Sequence, residues 1–226
     1  HSLRIMFLGT PQFSVPTLER LLERGYQVVG VFTQPDRPAA RSKTPIASPV
    51  KRAALERGLP VFQPSSLRRA GAQETLKRLT PDLLVLAAYG LILPQAVLDI
   101  PRYRGLNVHP SLLPRHRGPS PIVGALLAGD HETGVTIMLM DAGMDTGPLL
   151  AQTRLAITDE DATPTLTEKL AHMGAVLLVD TIEPWIEGRI TPQPQDEGLA
   201  TYTRRLSKED GRIDWNGTAE AVHNLV

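Results

Sequence analysis

Asn107 and His109, separated by one residue, stand at the end of the apolar run Leu106 to His109. In an extended chain successive side chains point to opposite faces, so these two share a face and Val108 takes the other. An Asn amide is a neutral donor, and an imidazole near neutral pH both gives and takes protons. Together they suit an acyl-transfer centre, where an oxyanion needs donors and an attacking group must shed a proton. A polar strand end that only caps a loop would hold the same residues. On Asn and His alone, that plainer explanation is the commoner one.

A carboxylate comes from Asp141 to Gly147, which packs two aspartates and two glycines into a tight loop with at least one left-handed backbone position. Asp145 is the candidate to face the His109 ring, holding it in its reactive orientation or fixing a water for proton transfer. Asp141 reads first as a turn former, the usual fate of Asp beside Gly. The spacing lacks the ligand pattern and closing Glu of an EF-hand, so a calcium loop is rejected. With no cysteine, and no dedicated base for Ser111, no protein nucleophile is evident. His116, His131, His172 and His223 are dispersed without ligand spacing, so no metal is expected.

Between the two motifs, Ser111-Leu112-Leu113-Pro114 cannot continue the strand, because Pro114 has no N–H to give. Arg115-His116-Arg117-Gly118 then makes a basic turn. It either presents backbone groups to a flat heterocycle or a carboxylate, or is a plain connection.

Positioning these groups falls to an alternation of apolar runs and helical stretches. Leu3 to Leu8 is strand-like and closes at the turn Gly9-Thr10-Pro11. Val15 to Arg24 sets Val15, Leu18, Leu21 and Leu22 at helical spacing before Gly25. Val28 to Phe32, Val61-Phe62, Leu83 to Ala88 and Leu106 to His109 read as further strands, with helices over Val50 to Arg57 and Gln73 to Leu79. Strands this apolar are buried on both faces, as a parallel sheet covered by helices demands. The fold expected is α/β, with a Rossmann-like, doubly wound, mostly parallel sheet. In such sheets ligands bind outside the carboxyl ends of the strands, where Asn107 and His109 lie.

Gly134 to Met140 and Leu149 to Leu155 add two strands around the Gly- and Asp-rich loop. A long helix follows, from about Thr165 to Ile186, which Pro184 kinks or ends. Gly188 to Gly198 is Pro- and Gln-rich without a core face and reads as an extended wrap or linker. Ala219 to Val226 begins an amphipathic helix that stops with no capping signal, as in a fragment. The boundaries expected are a catalytic domain over 1–188 and, over 189–226, a linker with the beginning of a C-terminal region.

The 226 residues suffice for one sizeable core, and 42% hydrophobic with 21% charged residues is ordinary for a soluble protein. Lys+Arg and Asp+Glu are both 24, so any nucleic-acid partner must be argued from a local patch. The absence of cysteine excludes disulfides, thiolate metal sites and cysteine nucleophiles. No run is long enough to span a bilayer and no secretory signal is present, so a cytoplasmic protein, taken as a monomer, is the expectation. A dinucleotide-binding module is disfavoured, because the first turn, Gly9-Thr10-Pro11-Gln12-Phe13, lacks Gly-x-Gly-x-x-Gly.

Leu106-Asn107-Val108-His109-Pro110-Ser111-Leu112-Leu113-Pro114 and Asp141 to Gly147, in this order and spacing, resemble the paired signatures of the folate-dependent formyltransferases. The resemblance implies 10-formyltetrahydrofolate as cosubstrate and a catalytic constellation of Asn107, His109 and Asp145. It also implies a folate site drawn from Ser111, Leu112, Leu113 and Pro114, from Tyr89 and Leu93 in the apolar loop Ala88 to Pro94, and from Asp141 and Gly143. The likeness is strongest to the branch of the family that formylates the α-amine of initiator methionyl-tRNA. Phe7 to Pro11, Gly30 to Pro38, Leu206 to Glu209, Arg212 to Trp215 and His223 to Val226 carry it. A family member acting on a small amine, such as glycinamide ribonucleotide or an amino sugar nucleotide, is the alternative.

Asp36 to Lys51 sets Arg37, Arg41, Lys43 and Lys51 against the single acid Asp36, with Pro38, Pro45 and Pro49 preventing a regular element. A basic loop suits the phosphates of an acceptor stem. The resemblance implies that Arg37, Arg41 and Lys43 reach the tRNA, although Ala40-Arg41-Ser42-Lys43 departs from the commoner Gly-Arg-Gly-Lys pattern, and losing both glycines stiffens the loop. It further implies that a C-terminal β-barrel domain of the family is absent here.

Overall fold

The computed structural model describes residues 2–38 and 44–226. Its strands are β1 (Arg4–Gly9), β2 (Gln27–Phe32), β3 (Arg37–Pro38), β4 (Pro45–Ile46), β5 (Val61–Phe62), β6 (Leu83–Ala87), β7 (Gly105–His109), β8 (Glu132–Leu139) and β9 (Leu149–Ala156). Its α-helices are α1 (Val15–Glu23), α2 (Pro49–Glu56), α3 (Ala70–Leu79), α4 (Gln95–Leu98), α5 (Pro121–Leu127), α6 (Thr163–Ile186) and α7 (Ala219–Leu225). Seven strands form one sheet in the order β5-β2-β1-β6-β7-β8-β9. The first five in that order run parallel, whereas β8 is antiparallel to β7 and β9 to β8. Strand order reverses between β1 and β6, which opens the crevice expected of a doubly wound sheet.

Alternation along the central strands divides the apolar residues between two cores. Ile5, Phe7, Leu83, Val85, Leu106 and Val108 pack with residues of α1, α2, α5 and α6. Met6, Leu8, Leu84 and Leu86 face the other way and meet Ala72 and Leu76 of α3 with Val97 and Leu98 of α4. These runs are apolar throughout because each strand is covered on both sides. Helix α6 lies close on β7 and β8: a Cβ at Gly174 would meet Val108 Cγ1 at 2.6 Å and Val135 Cγ1 at 3.2 Å. Within the described residues no helix is long and apolar enough to cross a membrane.

One expectation needs correction, and one alternative is resolved. Pro38 and Pro45 do not prevent pairing, since they lie opposite each other in the two-residue antiparallel ladder β3–β4. Two facing prolines fit a non-hydrogen-bonded position, where neither N–H is required. Of the two alternatives for the segment after α6, an extended wrap or a linker, the chain takes the wrap. It returns to the sheet, exchanging Leu149 N–Gln193 O and Gln193 N–Leu149 O bonds of 2.8 and 2.9 Å. Farther on, Arg117 N donates to Thr201 O at 2.9 Å and Thr203 N to Arg117 O at 2.7 Å. Helices α4 and α5, of four and seven residues, have no counterpart in the sequence analysis, being too short to show a periodic face.

Asp161 ties down the start of α6. Its carboxylate accepts from Thr158 N, Thr158 Oγ1, Thr165 Oγ1 and Lys169 Nζ at 2.7–3.0 Å. The Lys169 ammonium first, then the Thr158 N–H and the two hydroxyls, hold this carboxyl well below the usual carboxylate range, against the opposing effect of burial. A folded-state pKa below the unfolded value means that the stabilisation is complete above about pH 4 and is lost as the pH falls further. Thermal denaturation between about pH 5 and 2.5 should therefore show a steeper loss of stability in the wild type than in Asp161→Asn. Urea titration should find Gly174→Val destabilised by about 2 kcal/mol, because Val108 and Val135 are branched core side chains that cannot swing aside.

Candidate active site

Strand β7 presents its polar residues through its register. Asn107 pairs with Leu86 of β6 and Met138 of β8, and His109, the last residue of the strand, pairs with Thr136. Leu86 belongs to the core under α3 and α4, and Val108 to the one under α6. Asn107 and His109 therefore share the face turned away from α6, as the alternation requires. On this face the antiparallel side of the sheet is covered by loops. Thr136 Oγ1 donates to Ser111 O at 2.7 Å and accepts from Leu113 N at 3.1 Å, and Gln195 Nε2 lies 3.8 Å from Met138 Sδ.

The His109 ring is buried, with Nε2 3.0 Å from the carbonyl oxygen of His116. A carbonyl only accepts, so Nε2 carries a proton. His116 adopts φ 56°, which turns its carbonyl back onto the ring. Nδ1 faces Asp145 Oδ1 at 3.8 Å. That separation permits charge pairing but exceeds a hydrogen bond, so Nδ1 is not consumed by the carboxylate and stays available to a substrate atom. The His116 carbonyl holds the ring at Nε2, and Asp145 faces it at the other nitrogen. Asp145 has φ 56°, and its Oδ2 accepts from Gly118 N at 2.7 Å, which leaves Oδ1 toward the histidine. The half-buried Asn107 amide has no hydrogen-bond partner among the described residues and is free to donate.

Residues 116–118 thus hold both side chains, His109 through a carbonyl and Asp145 through an N–H, so this basic turn presents backbone groups to an imidazole and a carboxylate of the protein itself. Arg117, between them, is completely buried. Its guanidinium donates to Gln195 Oε1 from Nε and Nη2 at 3.0 and 2.9 Å. It also donates to Glu197 from Nη1 and Nη2 at 2.9 and 2.7 Å, and to Tyr202 Oη at 2.9 Å. All five guanidinium donors are used. The bond from Arg117 holds the Glu197 carboxyl below its ordinary range. Gln195 Nε2 donates in turn to Asp145 O at 2.8 Å and Gly147 O at 2.7 Å. The sequence reading passed over Arg117 and Gln195, and the only signal was a cation in a turn that offered it no local partner.

The remaining predicted residues divide. Asp141 is occupied as a turn former, accepting from Gly143 N at 3.0 Å and from Thr146 Oγ1 at 2.9 and 3.0 Å. Ser111 is buried, with its hydroxyl donating to Arg115 O at 2.7 Å. The Leu113 carbonyl accepts from Gln152 Nε2 at 2.8 Å, and the Pro114 carbonyl accepts from Thr201 N at 3.1 Å. Ser111 to Pro114 is therefore scaffold in its polar groups. Leu112 lines a cavity of about 270 Å³ with Arg115, His116 and Asp130, and Asn107, His109 and Asp145 do not line it. Tyr89 and Leu93 are buried in the core beside β6; burial raises the Tyr89 phenol, whose oxygen has no partner. Arg37 is exposed in β3, while Arg41 and Lys43 lie outside the described residues. Lys51 is paired with Asp36 at 2.6 Å and so is not a free cation of the loop. No group of three or more His, Asp or Glu able to hold a metal ion occurs among the described residues.

The ring geometry has a spectroscopic consequence. In a ¹⁵N correlation spectrum at a pH where the ring is neutral, His109 should be the Nε2–H tautomer, with Nδ1 unprotonated; the opposite pattern would contradict the His116 contact.

Comparison with known proteins identifies the family of the chain. Residues 3–182 match the model of the Formyl transferase family. A methionyl-tRNA formyltransferase of Roseiflexus castenholzii is 53% identical over 226 residues, 100% of this chain and 72% of the relative. One of Marinobacter nauticus is 49% identical over 224 residues, 99% of this chain and 72% of the relative. Among solved structures, a phosphoribosylglycinamide formyltransferase of Bacillus halodurans has a TM-score of 0.68 at 26% identity, covering 82% of this chain and 96% of that one. The fold is shared as well by an N-formyltransferase of Helicobacter canadensis in complex with folinic acid and dTDP-3-aminofucose, with a TM-score of 0.74, 19% identity, and coverage of 99% of this chain and 79% of that one. From the family match and from relatives about half identical along its whole length, the chain belongs to the formyl transferase family of enzymes.

Proposed function

We propose that this enzyme transfers the formyl group of 10-formyltetrahydrofolate to the α-amine of initiator methionyl-tRNA. The observation that carries the chemistry is the meeting of His109 Nδ1 and Asp145 Oδ1 at 3.8 Å on the face that also bears the unpaired Asn107 amide. The acceptor rests on the relatives at 49–53% identity, which are named for methionyl-tRNA and favour it over a small amine.

The residues present fit the folate. Leu86, the register partner of Asn107, runs through Ala87 into the loop Ala88 to Pro94, so an apolar wall lies alongside the amide. Buried Tyr89 and Leu93 support that wall, Ile92 is 68% exposed on it, and the Tyr89 oxygen is an unfilled polar site. Tyr89, Leu93 and the Asp141–Gly143 turn would hold the ring system, with Ser111 to Pro114 acting through the shape of the loop. Bound there, the folate supplies the formyl carbon.

Asn107 donates a hydrogen bond to the formyl oxygen as negative charge gathers on it, and His109, when protonated at Nδ1, adds a second donor. Asp145, with Oδ2 held by Gly118 and Oδ1 free, takes the proton released by the attacking amine. His109 gives its Nδ1 proton to the departing folate nitrogen as the carbon–nitrogen bond breaks, and the proton taken by Asp145 passes to Nδ1, which restores the pair. Exposed Arg37, with Arg41 and Lys43, would attract the phosphates of the acceptor stem, a contact that weakens as salt rises.

Transfer to charged initiator tRNA, assayed beside glycinamide ribonucleotide, should proceed with the tRNA alone. Asn107→Ala should lower kcat by about 10²–10³. His109→Ala and Asp145→Ala should each cost at least about 10² while leaving the thermal midpoint near that of the wild type. A variant that keeps wild-type turnover loses its assigned role, and preference for the small amine would overturn the acceptor.

A further inference from the structure

We propose that Gln195 is a positioning residue for the catalytic carboxylate: delivered by the segment that follows α6, it holds Asp145 in its left-handed turn and so sets its distance from His109. This rests on the reading above, in which Asp145 takes the proton of the amine.

A non-glycine residue at φ 56° keeps that conformation only where its surroundings impose it. Within the loop, the Asp141 carboxylate ties Gly143 N and Thr146 Oγ1, one on each side of Asp145. The carbonyls that flank Thr146, those of Asp145 and Gly147, are held from outside. One side-chain amide, Gln195 Nε2, donates to both, at 2.8 and 2.7 Å. Gly147 has no freedom to retreat, since a Cβ there would lie 1.8 Å from Leu139 O.

The orientation of that amide is forced. Arg117 only donates and the two carbonyls only accept, so Gln195 must turn its oxygen to the guanidinium and its nitrogen to the loop. Arg117 in turn sits between His116, whose carbonyl holds His109, and Gly118, whose N–H holds Asp145 Oδ2. Gln195 is thus where the returning segment reaches both sides of the catalytic pair. Neither end of Gln195 touches the Asp145 carboxylate or the His109 ring, so it acts through backbone placement.

The test uses the full chain and two variants. Gln195→Met removes both ends of the contact at similar size. Gln195→Glu keeps an acceptor for Arg117, removes the N–H donors to the loop and sets a carboxylate oxygen against the two carbonyls they held. Each should lower kcat for formyl transfer tenfold or more, with KM for 10-formyltetrahydrofolate and for methionyl-tRNA within about twofold. In an Asp145→Asn background, either substitution should add less than about twofold to the loss, because a residue that acts through Asp145 has nothing left to position. Equal factors in both backgrounds, or wild-type kcat in Gln195→Glu, would overturn the proposal; should Gln195→Met fail to fold, Gln195→Glu decides. A crystal structure of Gln195→Glu gives an arm free of any substrate: Asp145 should leave the left-handed region or move away from His109, and unchanged geometry would overturn the proposal even if the transfer reading stands. A wild type that formylates no methionyl-tRNA would instead remove the reading on which the kinetics depend.

Discussion

A guanidinium taken wholly out of water is the constraint around which this site is built. Burying a cation carries an effective penalty of several kcal/mol unless its hydrogen-bonding capacity is met in full. Arg117 meets it with Gln195, Glu197 and Tyr202, and the Tyr202 ring lies 5.7 Å from its Cζ. Every one of those partners comes from the stretch after α6. The returning segment is therefore obliged to dock, and in docking it brings Thr201 and Thr203 into backbone bonds with the same turn. The turn then has a single conformation to offer His109 and Asp145.

The sheet makes room for this. On the parallel side, between β5 and β7, helices cover both faces, and the strands are apolar through and through. From β7 to β9 the strands run antiparallel, and the face bearing Asn107 and His109 is closed by the turn after β7, the loop between β8 and β9, and the returning segment. Loops can supply carbonyls and N–H groups where a helix side cannot, because a helix has already spent them internally. A site that needs an imidazole fixed by a carbonyl and a carboxylate fixed by an N–H belongs on this side of the sheet.

Charge is arranged economically. Asp145 has one oxygen bonded to Gly118 N and the other turned to His109; His109 has Nε2 on the His116 carbonyl and no hydrogen bond at Nδ1; the Asn107 amide has no partner among the described residues. Preorganised groups of this kind stabilise developing charge without rearranging as the reaction proceeds. The dense ion pairing elsewhere has structural ends. Asp36–Lys51 closes the base of the basic loop, Asp161–Lys169 starts α6, and His116–Asp130, at 2.6 Å, stiffens the turn from behind.

Much of this was legible in the chain itself. The strands β1, β2, β6 and β7 declare themselves by apolar runs, and α1 and α6 by their spacing, because burial on two faces or one stripe leaves a periodic trace. Asn107 and His109 follow from alternation, and Asp145 from a Gly-rich loop that pairs with them as a motif. The short elements α4 and α5 left no such trace. What only the tertiary structure decided is how these side chains are held: the His116 carbonyl on the imidazole, the Gly118 N–H on the carboxylate, and Arg117 bound to Gln195 78 residues away. Side-chain patterns record which residues avoid water. Hydrogen bonds to backbone groups across such separations depend on where the folded chain returns, and no local pattern encodes that.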